Sequence, residues 1–360
     1  MKAFRPLVTL ILSAFLSGCP GKRVEPIPES AVSLERNGVA VLLTGAAARI
    51  PQEAALLEEL DKRGLFEDLV FISGVSSGAL NSVMLNGIQS GKLSWEGYRN
   101  ILFNMRNRDI FVQEGKKLPV NSSPARELYQ RVSAGELGYH TIGDLPITTA
   151  ISITHLEDLD LKKTVYRMCS RKINEESDTT LNLVDILMAS SSFPLVFPPV
   201  RIVNARTIPD VAYIDGGIGE DHVPYQALLE FEKFRGTGVE RVYIVSRKRD
   251  SLPEVSEELM ALGINDDRMF DRLGISIDGI LYRGLVKRLE AFAEEAPGLV
   301  SRTWVWIPGF QEDFLLFDFD DLQEQYELTS KWAESHDPVP LEEFLLKHRE
   351  KNKPPAEITR

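Results

Sequence analysis

The frame Gly74-x-Ser76-x-Gly78 constrains this chain more than any other stretch. Phe71 to Ser73 in front of it read as the end of a buried strand, and Ser77 onward as the first turn of a helix. A serine lifted onto a sharp strand-to-helix turn needs strained backbone angles, and flanking side chains would strike the strand and the helix. Glycine on both sides meets that demand, and the pattern is that of a nucleophile elbow. The helix N-terminus behind the serine lends free N–H groups and partial positive charge. A plain Gly- and Ser-rich connection carries the same letters, so the rest of the chain has to decide.

The first residues predict a leader outside the fold. Lys2 and Arg5 precede the apolar run Leu7 to Leu16, which is too short to span a bilayer and fits the core of a secretion signal. It ends in Leu16-Ser17-Gly18-Cys19, which resembles the lipobox of bacterial lipoproteins. Residues 1–18 are therefore expected to be a signal peptide, and Cys19 the lipidated first residue of a protein held in the bacterial cell envelope. Residues 19–35, with Pro20, Pro26 and Pro28, read as a tether. Without residues 1–18 the chain has 39 basic and 53 acidic residues. So acidic a chain is a poor partner for nucleic acid or anionic lipid surfaces, and acyl chains on Cys19 supply the membrane attachment instead. Cys169, the second of two cysteines, then has no intramolecular disulfide partner and reads as a small core residue.

The body, 36–320, reads as one α/β domain. Gly38 to Leu43 is an unbroken apolar run of the kind that fits a strand buried on both faces of a parallel sheet. A turn, Gly45 to Ile50, leads into an amphipathic helix begun by Pro51. Leu69 to Ile72 is the next strand, followed by the elbow helix to about residue 90. That alternation predicts a mostly parallel sheet. Further strands are expected at 147–154, 164–168, 211–214 and 241–246, a short helix at 181–189, and a long one at about 268–294. Residues 321–360 read as a charged helical tail. Trp304, Trp306, Phe310, Phe314, Phe317 and Phe319 have the make-up of an interfacial patch, but such alternating apolar residues are expected to be ordinary core.

A serine nucleophile needs a base and an oxyanion hole. Asp215 sits at the end of a short strand before Gly216 and Gly217, where open α/β sheets gather catalytic groups. A turn aspartate before glycines is the plainer reading of the same letters. His222 follows seven residues on and is the best histidine for a conventional triad. No HExxH or CxxC spacing and no phosphate loop appears, so neither metal nor cofactor is expected.

Taken in order, these motifs resemble the patatin-like phospholipase family over about residues 37–250. They are the turn at 45–50, Gly74-x-Ser76-x-Gly78, Asp144-Leu145-Pro146, Ala189-Ser190-Ser191-Ser192-Phe193-Pro194 with Phe197-Pro198-Pro199, and Asp215-Gly216-Gly217. The resemblance implies a three-layer α/β/α fold and a Ser-Asp dyad that hydrolyses acyl esters of lipids, phospholipids among them. By it Ser76 is the nucleophile and Asp215 the base. The N–H groups of Gly45, Ala46 and Ala47, helped by Ser77, form the oxyanion hole, and Arg49 is the turn's basic residue. The chain departs from the family's G-G-G-x-R-G turn with Ala46, Ala47 and Ile50, and Val223-Pro224 falls one residue off the family's spacing. If φ is positive at residue 46 or 47, alanine costs about 1–2 kcal/mol there. Two rivals stand beside the hydrolase: a non-catalytic envelope lipoprotein that binds lipid or a protein, and a triad assisted by His222.

Overall fold

The apolar run before the Gly45 turn becomes a central strand. In the computed structural model the described residues are 36–45, 47–156, 162–219, 221–248, 259–264 and 282–351. The expected leader, Cys19 and the tether fall outside them, as do Ala46 and the first part of the helix expected from 268. The strands described are β1 (Val39–Leu43), β2 (Leu69–Gly74), β3 (Thr148–Leu156), β4 (Lys163–Cys169), β5 (Val200–Arg201), β6 (Ala212–Asp215), β7 (Arg241–Val245), β8 (Thr303–Trp306) and β9 (Val339–Pro340). They form one sheet in the order β5-β6-β3-β2-β1-β7-β8-β9, with β4 on the other edge of β3. The middle, β3-β2-β1-β7-β8, is parallel throughout. Strands β4, β6 and β9 add on antiparallel.

Helices cover both faces, so the architecture is the expected three-layer α/β/α arrangement. Alternate residues of each strand point to opposite faces. Ala40 and Leu42 of β1, Phe71 of β2 and Ile244 of β7 pack with Leu228 and Phe231 of the helix Gln226–Arg235 and Leu289 and Phe292 of the helix Tyr282–Glu295. Val41, Leu43, Ile72 and Val245 face the other way, onto Leu56, Leu57 and Leu60 of α1 (Ile50–Lys62) and Leu85 of α2 (Ser77–Gln89). Burial on both faces explains why β1 reads as an unbroken apolar run.

The register of β3 positions the site. Its residue Ile151 lies opposite Gly74, the last residue of β2, and Ile153 lies opposite Asp215, the last residue of β6. Strand β4 occupies the other edge of β3, so β2 and β6 share one edge and stop head to head, two residues apart. Asp215 is thus at a strand end, as its sequence suggests, on a strand that runs against the parallel set. The carboxyl ends of β2, β1 and β7 lie side by side at the same place.

Residues 321–351 are more than a charged tail. The helix Leu322–Ala333 lies along α1 with Leu322, Gln325, Tyr326 and Thr329 buried, and β9 pairs with β8. Its charges occupy the outer face, which is what the sequence displays. The apolar segment 314–319 is not core alone: Phe317 and Phe319 also line a cleft at the elbow.

Candidate active site

Ser76 is at φ 56°, ψ −129°, immediately before α2. A non-glycine residue there costs on the order of 1–3 kcal/mol unless its surroundings hold it. They do. A Cβ on Gly74 would lie 2.4 Å from the Gly78 carbonyl oxygen, and one on Gly78 would lie 2.8 Å from the Leu43 carbonyl oxygen. Strand, elbow and helix approach more closely than any side chain allows. The Ser76 N–H donates to Ser190 Oγ (3.0 Å), which donates to the Ser152 carbonyl of β3 (2.8 Å). Ser190 ends the helix Leu183–Ser190, whose N-terminus Asn182 caps by accepting from the Asp185 N–H. Ser190, the first of the serine run after Ala189, therefore supports the elbow.

The structure brings Ser76 and Asp215 together. Ser76 is near enough to the Asp215 carboxyl to lower its pKa, and the Gly217 N–H donates to Asp215 Oδ1 (2.8 Å). Burial pushes the Asp215 carboxyl up to about 6, against the lowering influence of Ser76 and the Gly217 N–H. At neutral pH it is ionised and basic enough to take a proton. Gly216 sits where a Cβ would meet the Ser152 carbonyl at 2.2 Å.

His222 is beside this pair and outside their hydrogen bonding. Its Nε2 is buried without a hydrogen-bond partner, and burial lowers its pKa, so it stays neutral. Asp144 has a structural place, accepting from the His140 and Thr141 N–H groups in a turn.

The turn after β1 is built differently from the elbow. Gly45 has φ +76°, and a Cβ there would lie 2.9 Å from the Cβ of Ser76. Ala47 has φ 46°, so the strain anticipated for an alanine in this turn is present. The next N–H, of Ala48, donates to the Leu316 carbonyl (2.8 Å). Arg49 Nε donates to the Phe314 carbonyl (3.1 Å). Segment 314–316 thus braces the turn across some 265 residues of chain.

The backbone of Gly45, expected as an oxyanion donor, lies close to the buried Glu53 carboxyl. Asn81 Nδ2 donates to Glu53 as well (3.0 Å), and Thr44 Oγ1 lies 3.3 Å from it. Burial raises Glu53 to about 7. Ala46 is outside the described residues. Ala47 and Ser77 line the cleft beside Ser76.

Two clefts meet at Ser76, and Ala47 and Phe193 line both. The first is walled by Leu80, Met105, Met188, Phe197, Phe317 and Phe319. The second holds Thr44, Asp215, His222, Ser246 and Arg247. Glu53, Arg247, Phe317 and Phe319 escape sequence reasoning. A lone Glu in an amphipathic helix and an Arg after a strand carry no motif, and Phe317 and Phe319 read as ordinary core. No cluster of three or more His, Cys, Asp and Glu suited to a metal occurs among the described residues.

A family model described as patatin-like phospholipase matches residues 41–229. A search of curated proteins finds no match. Three solved structures align with the chain at low identity. VipD from Legionella pneumophila is 12% identical over 84% of this chain and 67% of its own, with a TM-score of 0.35. Human GIVD cytosolic phospholipase A2, in complex with methyl γ-linolenyl fluorophosphonate, is 11% identical over 88% of this chain and 60% of its own, with a TM-score of 0.37. The structure of full-length SpcU in complex with full-length ExoU, from the type III secretion system of Pseudomonas aeruginosa, gives 13% identity over 86% of this chain and 74% of that one, with a TM-score of 0.30.

Proposed function

Since the chain belongs to the patatin-like phospholipase family, we propose that it is a lipid acyl hydrolase working through Ser76 and Asp215, without a histidine. The carrying observation is that Ser76 and Asp215 line one polar cleft, which meets an apolar cleft at Ser76.

The chemistry follows from the placement. Asp215 takes the Ser76 proton as Oγ attacks an ester carbonyl whose acyl chain lies in the apolar cleft. The Ala47 and Ser77 N–H groups receive the oxyanion, with the N-terminal end of α2 adding positive potential. The tetrahedral intermediate collapses to an acyl-enzyme, and the protonated Asp215 hands its proton to the leaving alkoxide in the polar cleft. A water then enters, gives a proton to Asp215 and attacks the acyl carbon, and the second intermediate expels Ser76 Oγ, which takes that proton back as the fatty acid leaves. Cys19 anchors the enzyme through its acyl chains to a membrane of the bacterial envelope, where its substrates reside.

A second reading, a weak or inactive lipid-binding member, is favoured by the strained Ala47 in the turn that should hold the oxyanion. Phospholipid hydrolysis by the purified chain separates them. The hydrolase reading expects activity that drops about 10³-fold or more in Ser76→Ala. Equal, background-level rates in both proteins support the binding reading.

A further inference from the structure

The apolar cleft at Ser76 has a second cavity behind it. Ile50, Leu80, Met105 and Tyr129 line both, so their side chains form the wall between the two. The lining residues advance in the same sense along two helical segments. From the elbow onward, Ser76, Ser77 and Leu80 line the cleft, and Leu80 and Met84 line the cavity. In the helix Ser123–Tyr129 and the turns that continue it to Glu136, Ala125 and Tyr129 line the cleft, and Tyr129, Val132 and Ser133 line the cavity. The cavity therefore prolongs the cleft away from the nucleophile. Tyr98, Ile101, Leu102 and Leu128 complete an apolar lining.

We propose that this wall limits the acyl chain, so that the preferred substrates are medium-chain acyl esters, and that Met105 is the side chain that stops longer ones. The inference rests on the hydrolase reading above.

Helix α2 supplies the scale. It rises about 1.5 Å per residue, so Leu80 lies about 6 Å and Met84 about 12 Å along its axis from Ser76. A zigzag of 1.5 Å bonds at near-tetrahedral angles advances about 1.3 Å per carbon. An acyl chain on Ser76 that follows α2 thus reaches the wall after roughly five carbons and has passed it by about nine. Each further methylene must turn back toward water or press into packed side chains, and either course forfeits the gain from burial.

Met105 is the part of the wall that can be removed cleanly. Ile50 opens α1 directly after the Gly45 turn, and Leu80 belongs to the elbow helix. Met105 instead follows the helix Trp95–Asn104. Its N–H donates to the Leu102 carbonyl (3.1 Å), and its own carbonyl accepts from Arg106 Nη1 (2.7 Å). With the backbone held on both sides, shortening this unbranched, buried side chain opens a passage without moving the chain.

The test measures kcat/KM for p-nitrophenyl octanoate and p-nitrophenyl palmitate at equal mole fraction in detergent micelles, using the full chain. The wild type is expected to prefer the octanoate at least about tenfold, the weight of two buried methylenes. Met105→Ala is expected to lower that preference at least about tenfold, as the palmitate enters the cavity. Ser133→Leu, which places a larger side chain in the cavity, is expected to restore it in the Met105→Ala background. Thermal unfolding verifies that the variants are folded, and if they are not, the wild-type pair of esters decides. Equal kcat/KM for the two esters in the wild type overturns the length limit and leaves the hydrolase reading standing. So does a preference that Met105→Ala leaves unmoved, or one that Ser133→Leu fails to restore. Absence of Ser76-dependent hydrolysis of either ester overturns the hydrolase reading and this inference together.

Discussion

The elbow and the turn after β1 each hold a non-glycine residue at positive φ, Ser76 at 56° and Ala47 at 46°. They are held in different ways. The elbow is clamped by backbone contacts among its immediate neighbours, with Gly74 against Gly78 and Gly78 against Leu43. The turn is held from afar, by Leu316 and Phe314 from one side and by the buried Glu53 from the other. Strain that is locally enforced leaves a signature in contiguous residues. Strain enforced by distant partners leaves none.

The largest effect is expected at the elbow. Gly74→Ala places a methyl 2.4 Å from a backbone oxygen, with no flexible side chain able to yield. It should destabilise the chain by about 3 kcal/mol or more. Denaturant unfolding checks this, and a loss below about 1 kcal/mol would mean that the clamp opens readily.

Glu53→Gln probes the support of the turn. Glu53 has a folded pKa of about 7 against an ordinary 4.5. Its contribution to stability is therefore complete below about pH 4.5 and is lost as the pH rises through 7. Over that span the wild type should lose about 3 kcal/mol relative to the Gln variant. Unfolding curves at pH 4.5 and pH 8 give the difference, and parallel behaviour of the two proteins would place Glu53 in a wetter site than described.

Ala47→Gly is expected to be the smallest change. Relief of the positive φ is offset by the greater freedom of glycine in the unfolded chain, leaving a net effect within about 1 kcal/mol. Fluorophosphonate labelling should change less than about tenfold, within the reach of a small shift in one oxyanion donor. A larger loss would show that the Ala47 methyl, which lines both clefts, shapes the substrate path.

The same contrast explains what was legible in the sequence. Strand β1 and the amphipathic pattern of α1 show in the letters because sheet burial and helix periodicity are local. Ser76 shows because its glycines are adjacent to it. Asp215 shows through Gly216 and Gly217, although the antiparallel run of β6 does not. The Phe314 and Leu316 carbonyls that brace the turn are invisible because any residue supplies a carbonyl. Arg247 is invisible because its place depends on the register of β7 against β1, two strands about 200 residues apart. The helices after residue 321 read as a tail because their charged faces dominate the composition, while Leu322, Tyr326 and Leu341 carry the packing.

The Ser-Asp pair is tested most directly by the rate at which a fluorophosphonate labels Ser76 as a function of pH, in the wild type and in Asp215→Asn. With the Asp215 carboxyl held at about 6, the wild-type rate should rise about tenfold per pH unit below that value and level off above it. In Asp215→Asn the rise should vanish and the plateau should fall by roughly 10²–10⁴-fold. Equal labelling of the two proteins, with the same pH dependence, would contradict the assignment of Asp215 as the base.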